Sequence, residues 1–297
     1  MKTKLTLATM AIAAGSAAHA QSLPQGYYTE GDIVYEYYFD NDGNDVSGLV
    51  FDFTLGLSPG SIGSAPIGAE VYLSYINFDQ GSLDALAYGG LIYYESSFGR
   101  FGIGTPRSTI GDYVDTMSFG KVLDNTEFGI YVDGLTDLYI KTGEYANYGA
   151  RYDGSFGAFS VGASYHYFPD EDDSTFTLAG RYEVNNYAFA IGYEGVGDTG
   201  LLFASASAEY GAFEAGLTLT SFTDTDSLVY GAQASYDITP DLEVGLSYIN
   251  FDGGDSIAKL NVEYAFFDNA YVGASYYDNL FGSDGAYSLY AGYSLDF

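Results

Sequence analysis

Strict alternation of apolar and polar residues, repeated in segment after segment, constrains this chain more than any other feature. It is plainest near residue 290, where Tyr287, Leu289, Ala291, Tyr293, Leu295 and Phe297 alternate with Ser288, Tyr290, Gly292, Ser294 and Asp296. A period of two sends successive side chains to opposite faces, which is the pattern of a β-strand with one apolar side. Leu242, Val244, Leu246 and Tyr248 interleave with Glu243, Gly245 and Ser247 in the same way. So do Leu49, Phe51, Phe53, Leu55 and Leu57 with Asp52, Thr54 and Gly56. The pattern predicts sixteen strands, roughly 32–39, 47–57, 69–78, 85–95, 99–105, 146–153, 158–167, 174–183, 187–195, 201–210, 213–221, 228–237, 242–251, 257–265, 270–277 and 286–297. Most run about 8–12 residues, close to the 9–11 that a tilted strand needs to cross a membrane.

The apolar faces need a cover. No amphipathic helix of useful length is available to pack on sixteen strands, and a β-sandwich is the alternative in which two sheets cover each other. Three features favour lipid instead. Tyr75, Tyr94, Tyr165, Tyr193, Tyr236, Tyr248 and Tyr264 stand on the apolar phase near strand ends, as in the aromatic girdles at a membrane interface. The opposite phase is Gly, Ser, Thr and carboxylate, and carries Arg100, Arg151, Arg181 and Lys259 as well. The last predicted strand reaches an aromatic residue, Phe297, on the apolar phase. The connections also alternate. Short turns such as Val184–Asn186 and Gly211–Ala212 take turns with longer acidic loops such as Pro169–Asp173 and Asp278–Gly285. A barrel in an outer membrane has short turns on one rim and longer loops on the other. Ser58–Gly68 is long for the short-turn side. The segment from Pro106 to about Tyr145 is far longer than any other connection, and such an excursion in a compact fold is functional or disordered.

Residues 1–20 read as a cleavable signal peptide. Lys2 and Lys4 precede a short apolar run from Leu5 to Ala14, and Ala18-His19-Ala20 supplies the small-residue cleavage pattern, leaving 21–297 as the barrel. Loss of Lys2 and Lys4 takes the basic residues from nine to seven against 40 acidic ones, and the formal net charge from −31 to −33. A polyanion needs a basic surface, so nucleic-acid binding is excluded. Disorder is excluded by 32 Tyr and 21 Phe. The chain has no cysteine, hence no disulfide framework and no thiolate metal site.

Three segments give the chain a resemblance to the general bacterial porins of alphaproteobacterial type: Phe98–Val114 (FGRFGIGTPRSTIGDYV), Tyr152–Tyr165 (YDGSFGAFSVGASY) and Ser288–Phe297 (SLYAGYSLDF). The resemblance implies an all-β transmembrane antiparallel barrel of sixteen strands, assembled as a homotrimer in the lipid and lipopolysaccharide of a Gram-negative outer membrane. It also implies a long third loop folded into the lumen, here about 106–145, and a terminal aromatic read during assembly, here Phe297. The acidic side of the constriction would be Asp112, Asp115, Asp124, Glu127, Asp133 and Asp137, and the basic side Arg100, Arg107, Arg151 and Arg181. The likeness stops inside the loop, because the family's acidic-plus-glycine motif has no counterpart in Met117–Gly134. The same arginines can also serve simply to neutralise carboxylates beside them in the wall.

The expected function is a water-filled, weakly cation-selective diffusion channel for small solutes and ions, with no enzymatic activity. The alternatives are a structural or adhesive barrel without an open pore, and a sugar-specific channel using the polar-phase rings Tyr38, Tyr72, Tyr93 and Tyr290. His166 falls on the polar phase and is expected to line the pore; a Ser-His-acid hydrolase would need geometry that spacing cannot show. No cofactor is implied, although Asp40, Asp42 and Asp45 offer oxygen ligands that could hold Ca²⁺.

Overall fold

Sixteen stretches of alternating sequence pair edge to edge and leave no free edge. The computed structural model describes residues 26–61, 64–79, 83–142, 147–225, 227–254, 256–267, 269–282 and 285–295. Residues 1–20, expected to be a signal peptide, and Tyr145 and Phe297 lie outside the described residues. The strands are β1 (Tyr27–Asp40), β2 (Asp45–Leu57), β3 (Ile67–Phe78), β4 (Leu83–Ser96), β5 (Gly99–Gly104), β6 (Tyr148–Phe156), β7 (Phe159–Phe168) and β8 (Asp173–Val184). They continue with β9 (Tyr187–Val196), β10 (Thr199–Tyr210), β11 (Phe213–Phe222), β12 (Leu228–Thr239), β13 (Leu242–Phe251), β14 (Ser256–Phe266), β15 (Ala270–Asp278) and β16 (Ala286–Ser294). Each pairs antiparallel with its sequence neighbours, and β1 pairs with β16 from Asp32↔Ser294 to Asp40↔Ala286, which closes the barrel.

The number of strands is the expected one. The largest boundary error is at β1, which begins at Tyr27 rather than 32. Gly31 sits there at φ 148°, and the residues before it still pair, Tyr27 with Leu57 and Tyr28 with Gly56. Tight turns sit where the sequence put them. Asn185, at φ 54°, and Gly211, at φ 64°, supply the left-handed residue that a short hairpin needs.

Burial is inverted relative to a water-soluble sheet. The apolar phase is exposed: Tyr88 is 78% accessible, Ile103 69% and Leu217 61%. The polar phase is buried, including Ser74, Ser164, Thr177, Glu36 and Glu194. A β-sandwich would bury the first set, so that alternative is overturned. Tyr94, Tyr236 and Tyr264 lie near the short-turn ends of their strands, and Tyr165 and Tyr248 near the long-loop ends, all exposed. Two girdles result.

Apolar side chains do meet one another on the polar-phase side, and the long segment brings them. Met117, Phe119, Val122 and Leu123 pack with Tyr38, Ile76, Ile249 and Tyr277 of the wall. Ile110 and Val114 pack with Leu201 and Phe203, and Ile140 with Tyr72 and Phe168. The segment contains a helical turn Ile110–Tyr113, 3-10 turns Leu123–Asn125 and Glu127–Tyr131, and a helix Leu135–Lys141. Close approach needs small partners: a Cβ on Gly48 of β2 would come within 2.3 Å of Val122 Cγ1.

Candidate functional site

The long segment is fastened at both ends and in the middle. At its start the Arg107 guanidinium pairs with Asp52 of β2 and lies 4.8 Å from the centre of the Tyr72 ring. Ser108 N–H donates to Asp137 (2.7 Å), and Thr109 Oγ1 lies 2.7 Å from Thr177 Oγ1 of β8. Further on, Asp115 accepts Arg181 Nη1 (2.6 Å) and the Ser207 hydroxyl (2.8 Å), while its own N–H donates to Ser205 (3.1 Å). Val122 N–H donates to Glu36 Oε2 of β1 (3.0 Å). Glu194 of β9 accepts the N–H groups of Leu135 and Thr136, both at 2.8 Å. Those amides open the helix Leu135–Lys141, where unpaired donors and the helix dipole favour a carboxylate.

The six candidate acidic residues do not share one environment. Asp112 pairs with Arg151, Asp115 with Arg181, and Asp133 with Lys141. Asp124 and Asp137 are turned into the segment itself. Asp124 accepts Phe119 N–H at 2.6 Å and Gly120 N–H at 3.3 Å. Burial pushes Asp124 up to about 6, against the opposing pull of Lys259 and these hydrogen bonds. Burial also raises Asp137, although Lys141 and Arg107 stand near. Glu127 begins a 3-10 turn; its side chain lies outside the described set.

Each of the four candidate arginines holds a carboxylate. Arg100 bonds Glu70 at 2.5 Å and lies 3.5 Å over the Tyr93 ring; Arg107 holds Asp52. Arg151 bridges Asp112 and Asp153, and Arg181 bridges Asp115 and Glu183. Two basic residues inside the long segment escaped the sequence reading: Lys121, 3.1 Å from Glu263, and Lys141. A lysine within so acidic a stretch is the signal that could have found them.

Several expectations need correction. His166 is on the polar phase but fully buried, with Nε2 2.8 Å from Ser164 Oγ and its ring stacked near Phe168, so it does not line open space. Tyr38, Tyr72, Tyr93 and Tyr290 are buried too, and the faces of Tyr72 and Tyr93 are taken by guanidinium groups. They cannot serve as sugar-stacking platforms. Asp40 spends its oxygens on Asp42 N–H and on Asn44, and Asp45 accepts the Tyr37 hydroxyl. Among the described residues no three acidic or histidine side chains converge as metal ligands.

Register puts like charges side by side on the other part of the wall. Asp237 of β12 lies opposite Glu243 of β13, and Glu243 opposite Glu263 of β14. Glu209 of β10 faces Glu214 of β11. No arginine stands on these strands. The described wall thus has an arginine-bearing part, β5 to β8, and an acidic part, β10 to β14.

A closed, sixteen-stranded antiparallel barrel with an apolar outer face is a porin-type barrel. Solved structures of engineered variants of Rhodopseudomonas blastica porin are similar to it. A triple mutant matches with a TM-score of 0.65 at 13% identity, over 91% of this chain and 100% of that one. A second variant of that porin matches with a TM-score of 0.65 at 14% identity over the same shares. No protein-family model matches the chain, and neither does any curated protein.

Proposed function

We propose that this protein is an outer-membrane porin: a non-enzymatic, water-filled channel that passes small solutes and favours cations weakly. In this reading residues 1–20 direct export and are removed, and the barrel assembles as a trimer in lipid and lipopolysaccharide. The segment from Pro106 to about Tyr145 lies across the lumen and narrows it. Its contacts with β1, β2, β8, β9 and β10 support that placement, because one segment can reach polar-phase side chains of strands so far apart only from within the ring.

One observation carries the selectivity. The arginines are already neutralised by neighbours, while Glu209–Glu214 and Asp237–Glu243–Glu263 repel one another across adjacent strands. Rings of Asp and Glu attract cations and repel anions. The path that remains beside the long segment is therefore lined by a surplus of carboxylate, against which Lys121, paired with Glu263, and Lys259 stand as cations. This differs from the implied pattern of an acidic loop facing a basic wall: Asp112 and Asp115 pair directly with Arg151 and Arg181, and Arg100 and Arg107 hold Glu70 and Asp52 of the wall.

The reversal potential across a KCl gradient in a planar bilayer tests the reading. It should show K⁺ preferred over Cl⁻, with the preference shrinking as salt rises and the screening length falls from about 10 Å at 0.1 M to about 3 Å at 1 M. Anion preference would defeat it. The three apolar clusters that pack the long segment are what a closed, structural barrel would also use. Absence of single-channel steps would favour that second reading.

A further inference from the structure

On the outer face, β10 presents a run of small side chains between two walls of large ones. Ala204, Ala206 and Ala208 share the apolar phase, with Leu202 above them and Tyr210 below. Register sets Tyr187 and Phe189 of β9 beside Ala208 and Ala206 on one side. On the other side Ala215 and Leu217 of β11 stand beside the same two alanines. A groove of about 420 Å³ results, walled by Tyr187, Phe189 and Leu217 and floored by alanine. From Tyr210 to Ala204 the strand runs about 20 Å at ~3.4 Å per residue. At a tilt of about 40° this covers about 15 Å of depth, half of a hydrocarbon core of about 30 Å. The groove thus starts at the aromatic girdle of the short-turn rim and ends near the midplane, which is the reach of one acyl chain.

The rim end of the groove supplies a donor and a charge. The Tyr187 and Tyr210 hydroxyls bond each other, with their rings T-shaped and 5.9 Å apart. One phenol proton is used in that bond, and the other is left for an acceptor outside the chain. Around this pair Glu183, Glu209, Glu214 and Asp237 are exposed. Residues 182–258 contain no Lys or Arg. The field of such a rim repels a headgroup of net negative charge and draws one that carries an ammonium group. Hydrophobicity gives no preference within a bilayer, because lipid tails are as apolar as the wall. Fit does, since an unfilled groove forfeits the dispersion contacts of its lining. We propose that the groove binds one acyl chain of a glycerophospholipid with an ammonium-bearing headgroup, its ester or phosphate oxygen on the Tyr187–Tyr210 pair. The site requires the apolar face to meet a bilayer, as in the porin reading, but not an open lumen.

Native mass spectrometry of the detergent-solubilised protein counts the lipid that stays bound. Dioleoyl phosphatidylethanolamine and dioleoyl phosphatidylglycerol, equal in their chains, are added in turn. One ethanolamine lipid per chain is expected to remain, held about tenfold more tightly than the glycerol lipid. Ala206→Leu should weaken retention about tenfold by filling the groove. Tyr187→Phe combined with Tyr210→Phe should weaken it about fivefold. If Ala206→Leu fails to fold, the tyrosine pair makes the test alone. Equal retention of the two lipids, or retention that neither change alters, would overturn the site. So would a change of oligomeric state on Ala206→Leu, which would make the groove a contact between copies. KCl conductance in planar bilayers keeps the two readings apart. Loss of lipid preference with conduction intact removes the site alone, and lipid retention without conduction removes the channel alone.

Discussion

Asp124 shows how one buried carboxylate can tie a loop's packing to pH. Its oxygen holds the amides of Phe119 and Gly120, while burial pushes its pKa up to about 6. In the unfolded chain the group titrates near 3.9. The folded value is the higher one, so the fold favours the neutral acid. The stabilising contribution is full below about pH 4 and is lost as pH rises through about 6. A shift of about two units corresponds to about 3 kcal/mol. Hydrogen exchange at Phe119 and Gly120, corrected for intrinsic rates, should therefore show stronger protection at pH 4.5 than at 7.5. Asp124→Asn should flatten that difference. A protection that rises with pH in the native chain would contradict the assignment.

At the scale of an element, the latch on the helix Leu135–Lys141 is Glu194, which takes two N–H groups that no residue of the helix can take. Glu194→Ala should leave both donors buried and unpaired, at about 1–3 kcal/mol each. Exchange at Leu135 and Thr136 should rise tenfold or more, and open-channel current noise should increase. Unchanged exchange would show that the apolar contact of Ile140 with Tyr72 and Phe168 suffices. This latch also marks the limit of what the sequence discloses. The period of two placed Glu194, Glu36 and Asp52 on the polar phase, and that was right, because phase depends on neighbours along the strand alone. Which of them meets the long segment depends on how that segment is routed, and its short helix and 3-10 turns carry no periodic signal. Arg107 and Asp137 could be picked as chemistry-bearing residues, but not as partners for Asp52 and the Ser108 amide.

At the scale of the molecule, the outer face is the decisive surface. Leu217 sits in the middle of β11, 61% exposed, where lipid would replace water. Leu217→Arg should destabilise the barrel in vesicles by about 2–4 kcal/mol, read from urea or guanidinium unfolding. An unchanged midpoint would mean that this face does not meet hydrocarbon.

The seam between β1 and β16 has a consequence for biogenesis. Thr29 donates its hydroxyl to the carbonyl of Leu295, 266 positions away, and every rung beside it spans nearly the whole polypeptide. Such a join cannot form until nearly all of the strands have been made, and pairing over that distance is slow. Until it forms, two raw strand edges face outward, ready to template aggregation. Ring closure is therefore the last pairing to form, and until it does both bare edges stay open to other strands.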